Sequence, residues 1–493
     1  MLNRLTAKSI FFNWQTLILL LVFFTLKFVS FSLHDHLIIQ GILVFVFLMI
    51  FGISYFKNPT LAFYILIGEI FLGGSGSYLE FVGLSIRTLL IGTFLILWTI
   101  DIISKREVQK RFIFDKTFTI LLVIFYLFLS ISVINGFLHG HNIQHIIQDL
   151  MPFLYLPILF PAYNLLSKEK TQEYLIRLII VFIIGSAIFS IYTFFLFSTG
   201  VVELQEPFYK WFRDVAYGKI TNMGNGFFRI VLPEHLLITP IILLISSLLM
   251  RDERHHKMWR LLLILSSIVL VLNLSRAFLL ALLLGFVILK LKHKATRWFI
   301  ISTTTLGLII LIFTSFSVLA SGGKTLGWEL FGVRIVSITS PQIETSSATR
   351  MMILPSILEM IKQKPILGTG IGAETTFLNT NTHEQITTRH FDWGYLEMLV
   401  ELGILGSLLL LSLIIFLLYK ISEKIKNAYD WQDFYVGILA GVVAMLIINI
   451  TTPALFHVFG IIFFVLILSI ALKPVDIFES LVTSLYRIFN RIK

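Results

Sequence analysis

Long runs of apolar residues recur along the whole chain, and short polar stretches separate them. Each run has about 20 residues, the length that a helix needs to cross ~30 Å of hydrocarbon. The runs are continuous and show no apolar–polar alternation, so they predict helices and not barrel strands. The predicted spans lie at 10–33, 36–55, 60–74, 84–103, 117–137, 143–163, 174–199, 229–250, 259–274, 276–291, 298–320, 394–419, 433–450 and 455–472.

The pattern therefore predicts an all-α, polytopic integral membrane protein with about twelve to fourteen transmembrane helices. The lower count stays open because the spans at 60–74 and 259–274 are short enough to be re-entrant or merged. The composition agrees, since 57% of the residues are hydrophobic and only 14% are charged, with a mean hydropathy of +0.90. Soluble domains carry roughly 25% charged residues, so a soluble enzyme is excluded.

Lysine and arginine are concentrated in alternate loops, which predicts the orientation of the chain. With Arg4 and Lys8 on the cytoplasmic side, the basic loops fall on that side too, as does the C-terminal tail. We therefore predict a multi-pass protein with both termini in the cytoplasm, and the end of the tail lying on membrane lipid as a basic amphipathic helix. The basic loops are 104–111, 167–177, 251–260, 290–297 and 420–426.

Three further features limit the class of protein. The chain has no cysteine, which excludes disulfides and thiolate metal sites. The net charge of +11 is explained by the positive loops, so we expect no nucleic-acid partner. The first apolar run, from about Phe11 to Leu33, is too long for a signal-peptide core and is predicted to be a retained span.

Two polar segments are predicted on the outer side, at 200–228 and 321–393. Loops longer than ~15 residues are usually functional or disordered. The longer one contains an amphipathic stretch at 350–363 followed by PILGTGIG at 365–372, so we expect it to fold against the membrane domain. The predicted organisation is N-terminal helices (1–320), an extracytoplasmic loop (321–393), C-terminal helices (394–472) and a basic cytoplasmic tail (473–493).

Arg276 is the first candidate for function, because it interrupts two apolar runs at the predicted outer face. A lipid-facing arginine near mid-bilayer would cost at least ~2.5–3.5 kcal/mol, so Arg276 should face a cavity or a polar partner. The structural alternative is an arginine that reaches the interface from a tight helical turn. Other arginines on the same face point to an anionic substrate, since guanidinium groups pair well with phosphate oxygens. They are Arg229, Arg334, Arg350 and Arg389.

Asp392, Glu397 and Glu401 are the acidic candidates, at the start of the span that follows the long loop. Glu397 and Glu401 are four residues apart and share one helix face. Glu401, in apolar sequence, needs a partner such as a nearby arginine. The structural alternative is an intramembrane ion pair, and the functional hypothesis is a carboxylate that takes a proton from an acceptor hydroxyl.

His383, Glu384 and His390 invite a metal hypothesis, but their spacing does not put two histidines on one helix face. We therefore predict no metal site and no cofactor. GTGIG (368–372) is not followed by the Lys-Ser or Lys-Thr pair of a nucleotide-binding loop. Its glycines are expected to end a helix and to let backbone amides approach another element. GILG (403–406) offers small residues for close helix packing.

Three motifs, taken in order, resemble the O-antigen ligase/polymerase superfamily of bacterial envelope glycosyltransferases, which includes Wzy-type polymerases and WaaL-type ligases. They are SRAFLLAL (275–282), a basic residue with an amphipathic helix and a glycine run (350–372), and DWGYLEMLVELGILG (392–406). The resemblance covers about 130 residues, 275–406. Ligases usually have His-Asn where this chain has Asp392-Trp393, and this departure favours the polymerase side.

The resemblance implies an enzyme of the bacterial inner (cytoplasmic) membrane that acts on a glycan carried by undecaprenyl pyrophosphate. It implies no metal, and it names a chain-length regulator and a flippase as candidate protein partners. The implied contacts to pyrophosphate or glycan are Arg276 and Arg350, joined by Arg229, Arg389 and Glu397. The implied catalytic set is Asp392 or His390 as the base, Arg276 at the leaving group and Glu401.

The resemblance therefore implies polymerisation of lipid-linked repeat units at the outer membrane face. Two alternatives remain. A ligase would transfer the finished glycan to lipid A-core or to another acceptor. A transporter would place its charges near mid-membrane on broken, repeated helices. Here no repeat is evident, and Lys27, Glu69, Arg87 and Arg276 lie toward the outer ends of spans.

Overall fold

The computed structural model describes residues 13–105, 115–166, 168–251, 257–339, 345–379, 383–428 and 431–473. The predicted basic tail beyond residue 473 lies outside these residues. The N-terminal half contains α1 (Trp14–Leu33), α2 (Leu37–Lys57), α3 (Pro59–Leu72), β1 (Glu80–Phe81), β2 (Leu84–Ser85), α4 (Ile86–Ser104), α5 (Lys116–Leu138), α6 (Ile143–Leu150), a 3-10 turn (Phe153–Ile158), α7 (Leu159–Leu165) and α8 (Glu169–Ser198).

The C-terminal half begins on the predicted outer side and then returns to apolar helices. It contains α9 (Pro207–Asp214), β3 (Lys219–Asn222), β4 (Phe228–Val231), a 3-10 turn (Pro233–Leu237), α10 (Ile238–Leu249), α11 (Lys257–Asn273), α12 (Arg276–Lys290), α13 (Ala295–Ala320), α14 (Trp328–Thr339), α15 (Thr345–Gln363), β5 (Thr375–Asn379), β6 (Glu384–Thr388), α16 (Gly394–Asn427), α17 (Gln432–Ile448) and α18 (Val458–Ala471).

A helix or a broken helix lies at each predicted span, so the prediction of an all-α polytopic membrane protein is confirmed. Among the described residues, eight helices are long and apolar enough to cross a membrane, and four shorter apolar helices accompany them. In α1 and α2 only 22% of the apolar window is buried inside the protein. Their remaining apolar surface is therefore available to lipid chains.

Polar side chains set the start of several helices. Asn58 accepts a hydrogen bond from the N–H of Thr60 at the start of α3. Ser85 does the same for Thr88 at the start of α4. These bonds satisfy N–H groups that have no partner inside the helix.

Several predicted spans are not single α-helices, and the two at 229–250 and 143–163 contain 3-10 turns. The span predicted at 229–250 begins as strand β4, which pairs antiparallel with β3 and sets Arg229 opposite Thr221. Pro233, which has no N–H to donate, then starts the 3-10 turn that leads into α10. The span at 143–163 is also divided, because Pro157 lies in the 3-10 turn between α6 and α7.

Two ion pairs are buried among the apolar helices. Arg87 of α4 binds Glu69 of α3, with Nε 2.8 Å from Oε2 and a terminal nitrogen 3.1 Å from Oε1. Lys27 of α1 lies 3.3 Å from Glu234 of the second 3-10 turn. Each charge has an opposite partner, which offsets part of the cost of removing it from water.

The glycine run lies in a loop, residues 365–373, between α15 and the β5–β6 hairpin. We call it the glycine loop. It packs against α5, where Asn135 donates to the carbonyl of Gly368 at 2.8 Å and Ser132 accepts from the N–H of Ile371 at 3.2 Å. Gly370 has a φ of +96°, and a Cβ there would collide with the backbone of Gly136. The expected close backbone approach is thus present.

Helix α16 is broken at Gly403, where φ is +62° and ψ is −173°. The break separates the carbonyls of Val400 and Glu401 from the N–H groups four residues ahead. The glycine loop supplies new hydrogen-bond partners for these carbonyls and for these N–H groups. Thr369 and Gly370 donate to the two carbonyls at 2.7 and 3.2 Å, and Pro365 and Ile366 accept from the two N–H groups, of Ile404 and Leu405, at 2.9 and 3.3 Å.

We expect Gly403→Ala to destabilise the protein by about 1–3 kcal/mol, because a side chain at this φ is strained and its Cβ would meet the backbone of Ile366. Gly307→Ala is the matched control, since Gly307 lies inside α13 with open space around its Cβ position. Thermal unfolding of the purified protein in detergent measures both. Equal midpoints for the two variants would contradict the role given to the break.

Candidate active site

A cavity of about 570 Å³ opens between the β3–β4 hairpin, the start of α12, α15 and the loop between α17 and α18. Its wall combines apolar side chains with polar and charged ones. The polar and charged lining residues are Tyr217, Lys219, Arg229, Asn273, Ser275, Arg276, Ser347, Arg350, Asp392, Thr451, Thr452 and His457. We call it the basic cavity, because four of these side chains are cationic and only Asp392 is anionic.

Arg276 is half-buried at the first residue of α12. The chain turns sharply just before it, since Leu274 has a φ of +45°. A terminal nitrogen of Arg276 donates to the hydroxyl of Ser347 in α15 at 2.6 Å. The guanidinium therefore connects the tight turn to α15. It also lies at the N-terminus of α12, and a helix N-terminus favours anions.

Arg229 enters the cavity from strand β4. Its Nε donates to the carbonyl of Asn273 at 2.7 Å, and the side-chain amide of Asn273 lies 3.2 Å from Nδ1 of His235. These bonds tie the hairpin to the end of α11. They hold the guanidinium beside the turn that carries Arg276.

Arg350 of α15 and Asp392, just before α16, also line the cavity. The Nε of Arg350 is 3.8 Å from Oδ2 of Asp392, an ion-pair distance that is too long for a hydrogen bond. Among the described residues, no acceptor lies within hydrogen-bond distance of this buried Nε. Asp392 sits in a left-handed turn with φ +56°, and its side chain is 49% exposed. Both groups therefore retain capacity to bind a ligand.

Three arginines that are far apart in the sequence, at 229, 276 and 350, thus line one cavity together with Asp392. Converging guanidinium groups bind phosphate and other oxyanions in paired geometry. The cavity is suited to an anionic ligand that also offers a group to the Asp392 carboxylate.

Residues 261–411 match the family model described as O-antigen ligase. The chain carries a domain of the O-antigen ligase/polymerase superfamily. A search of curated proteins finds no match to the chain. The O-antigen ligase domain contributes Arg276, Arg350 and Asp392 to the cavity, whereas Arg229 and the loop between α17 and α18 lie outside it.

Four predicted site residues lie in the O-antigen ligase domain but do not line the basic cavity: Arg389, His390, Glu397 and Glu401. Arg389 pairs instead with Asp149 of α6, at 3.2 Å. His390 is exposed on one side. The protein packed around His390 lowers its pKa, and the adjacent charge of Arg389 lowers this pKa further. The side chain of Arg334 lies outside the described residues.

Glu401 is buried, and the expected arginine partner is replaced by backbone amides. Its Oε1 accepts from the N–H groups of Gly372 and Ala373, at 3.0 and 3.4 Å. The carboxyl group of Asp149 lies near this side chain. Glu401 therefore fixes the end of the glycine loop. Glu397 is buried on the same helix face, near Asp149 and Arg389.

The metal hypothesis rested on the histidines of the β5–β6 hairpin. His383 lies at the tight end of the hairpin with φ +57°, and Glu384 begins β6, where it pairs with Asn379. Within the described ranges, no group of three or more His, Cys, Asp or Glu side chains could hold a metal ion.

Sequence reasoning missed several cavity residues, above all Tyr217, Lys219, Thr451, Thr452 and His457. The last three lie in NITTPALFH, residues 449–457, which connects α17 to α18. Two threonines and a histidine so close to the ends of apolar runs were a sign in the sequence that this segment could have a function. It offered no sign that this loop meets residues more than 150 positions earlier.

We expect Glu401→Ala to lower the stability of the O-antigen ligase domain by about 1–3 kcal/mol, because two buried N–H groups lose their acceptor. Glu401→Gln should stay close to wild type, since its amide oxygen still accepts from Gly372 and Ala373. Thermal unfolding and transfer activity are measured on both variants. A folded but inactive Glu401→Gln would instead support the catalytic role predicted from the sequence.

Proposed function

We propose that the protein is a membrane glycosyltransferase that polymerises oligosaccharide repeat units linked to undecaprenyl pyrophosphate. The reaction takes place at the outer face of the cytoplasmic membrane, with both termini in the cytoplasm. The observation that carries the proposal is the convergence of Arg229, Arg276 and Arg350 with Asp392 on the basic cavity. The O-antigen ligase domain supports the reaction class.

The arginines of the basic cavity can stabilise the negative charge that develops in this reaction. As the bond from the sugar to the pyrophosphate breaks, negative charge accumulates on the departing oxygen. Arg276 and Arg350 come from different elements, so they can contact different oxygens of the leaving group. Fixed positive charges stabilise a pyrophosphate leaving group without a protonating acid.

Asp392 is the better of the two predicted bases. It lines the cavity beside Arg350, whereas His390 does not. In the proposed step, an acceptor hydroxyl attacks the anomeric carbon while the bond to the pyrophosphate oxygen breaks. The hydroxyl proton passes to the Asp392 carboxylate. Direct displacement of this kind inverts the anomeric carbon.

In the polymerase reaction, the acceptor is a second lipid-linked repeat unit. A flippase would supply such units to the outer face, and a chain-length regulator would limit the product. Both are proposed as partners on the strength of the superfamily resemblance. The membrane itself supplies the lipid-linked donor.

A ligase is the second candidate, because the matched family model is described as O-antigen ligase. The same cavity would then hold the same leaving group, while the acceptor would be lipid A-core or another envelope molecule. Asp392-Trp393, in place of the usual His-Asn of ligases, favours the polymerase.

We expect Arg276→Ala to lower transfer by about 100- to 1,000-fold, the loss typical of removing one group that stabilises developing charge. Purified protein in lipid is given a short lipid-linked repeat unit with no other acceptor, and the products are sized on a gel. The wild type should give a ladder of integer repeats. Arg213→Ala is the matched control, since Arg213 is exposed and pairs with Asp214 outside the cavity.

The same assay separates the candidate functions. If wild-type protein leaves the substrate unchanged, candidate acceptors are added, and transfer to one of them would identify a ligase. Unchanged substrate with every acceptor would refute both glycosyltransferase assignments. Full activity in Arg276→Ala would refute the assignment of the leaving-group site.

We expect Asp392→Asn to lower kcat by about 100- to 10,000-fold, because the amide cannot accept the proton of the acceptor hydroxyl. Donor binding should change little, since Asn keeps the shape of the side chain. Single-turnover transfer at saturating donor measures the chemical step. His390→Gln is assayed alongside, and a loss confined to that variant would assign the base to His390 instead.

A further inference from the structure

His457 lines the basic cavity from the loop between α17 and α18. It lies outside the O-antigen ligase domain, and it immediately precedes α18, whose first residue is Val458. Thr451 and Thr452 of the same loop reach the cavity as well. This loop thus forms a wall of the cavity that the superfamily match does not cover.

The orientation of the imidazole is fixed by its own helix. The N–H of Phe459 donates to Nδ1 of His457 at 3.3 Å, which caps the start of α18. The imidazole also stacks on the ring of Phe459, with centroids 5.7 Å apart and planes 9° from parallel. Because the lone pair of Nδ1 accepts a hydrogen bond, the ring proton resides on Nε2.

A buried arginine that also contacts the Phe459 ring opposes a second proton on His457. The guanidinium carbon of Arg87 lies 5.1 Å from the Phe459 ring centroid, and Arg87 is held by its pair with Glu69. Nδ1 of His457 already accepts the N–H of Phe459, so its lone pair is engaged, and the nearby positive charge of Arg87 acts against a second ring proton. His457 is therefore a neutral imidazole with one N–H to donate.

We propose that His457 donates its Nε2–H to a phosphate oxygen of the lipid-linked donor in the basic cavity. The inference rests on the proposed function, because that function supplies the pyrophosphate. Phosphate oxygens accept hydrogen bonds, and an Nε2–H can only donate. His457 thus adds a directed contact to those of the arginines without adding another positive charge.

Two substitutions separate this role from capping of α18. Asn places a carbonyl oxygen near the position of Nδ1, so His457→Asn keeps the cap but loses the Nε2 donor. Gln places its amide N–H₂ near the position of Nε2, so His457→Gln keeps the donor but weakens the cap. Farnesyl pyrophosphate is the probe, and its affinity for the purified full chain in detergent is measured together with thermal unfolding.

We expect His457→Asn to bind farnesyl pyrophosphate about 10- to 100-fold more weakly with an unchanged unfolding midpoint, as for loss of a hydrogen bond to a charged group. His457→Gln should bind within a few-fold of the wild type and unfold at a lower temperature. The reverse pattern would show a capping role alone and overturn the inference. Failure of wild-type protein to bind the probe would refute the pyrophosphate donor itself, and the proposed function with it.

The pH dependence of binding supplies a second readout. A neutral His457 contributes equally from pH 5.5 to 8, so the affinity ratio of wild type to His457→Asn should stay constant over that range. A ring that became protonated there would attract the anion more strongly as the pH falls. A ratio that rises toward pH 5.5 would therefore overturn the neutral donor. Arg87 and Glu234 are the charged groups that act on this imidazole.

Discussion

The arrangement of the outer elements depends on one exchange of backbone hydrogen bonds, between the glycine loop and the break in α16. A helix broken in an apolar environment leaves donors and acceptors that water cannot reach, and each would cost free energy if unpaired. The loop pairs with both sides of the break, and the Glu401 side chain accepts from the N–H groups of Gly372 and Ala373. This exchange holds the chain that follows α15 against the middle of α16. Arg350 lies near the start of α15 and Asp392 just before α16, so the exchange joins the two elements that bring them to the cavity.

A second constraint lies beneath the cavity. The pairs Lys27–Glu234 and Arg87–Glu69 are buried among helices, where an isolated charge would be expensive. Their positions link the N-terminal helices to the site. Glu234 lies in the 3-10 turn whose neighbours line the cavity, and Arg87 lies under the aromatic ring that supports His457. The N-terminal helices, although outside the O-antigen ligase domain, therefore help to set the charge and orientation of groups that line the basic cavity.

The predicted site divides into two groups in the structure. Arg229, Arg276, Arg350 and Asp392 line the basic cavity, as an anion site requires. Arg389, Glu397 and Glu401 lie with Asp149 at the seam between α16, α6 and the glycine loop. In the sequence, members of both groups lie on the predicted outer side of the membrane, and an ionisable residue there has the same local pattern whether it binds a ligand or holds the fold together. Only the contacts of Glu401 with backbone amides distinguish an acceptor that holds a loop from a base that faces a substrate.

The sequence by itself determined the helices, since a run of about 20 apolar residues has few alternatives in lipid. It also indicated that the glycine run would allow a close backbone contact and that several arginines would lie on the outer face. The tertiary structure decided which of these residues meet. It placed Lys219 and His457, which are 238 positions apart in the numbering, on one cavity. It placed Glu401, which was predicted to belong to the site, away from the lining of that cavity. The physical reason is that hydrophobic length and turn chemistry are local properties of the chain. The convergence of side chains, by contrast, depends on how distant helices pack and on which buried polar groups find partners there.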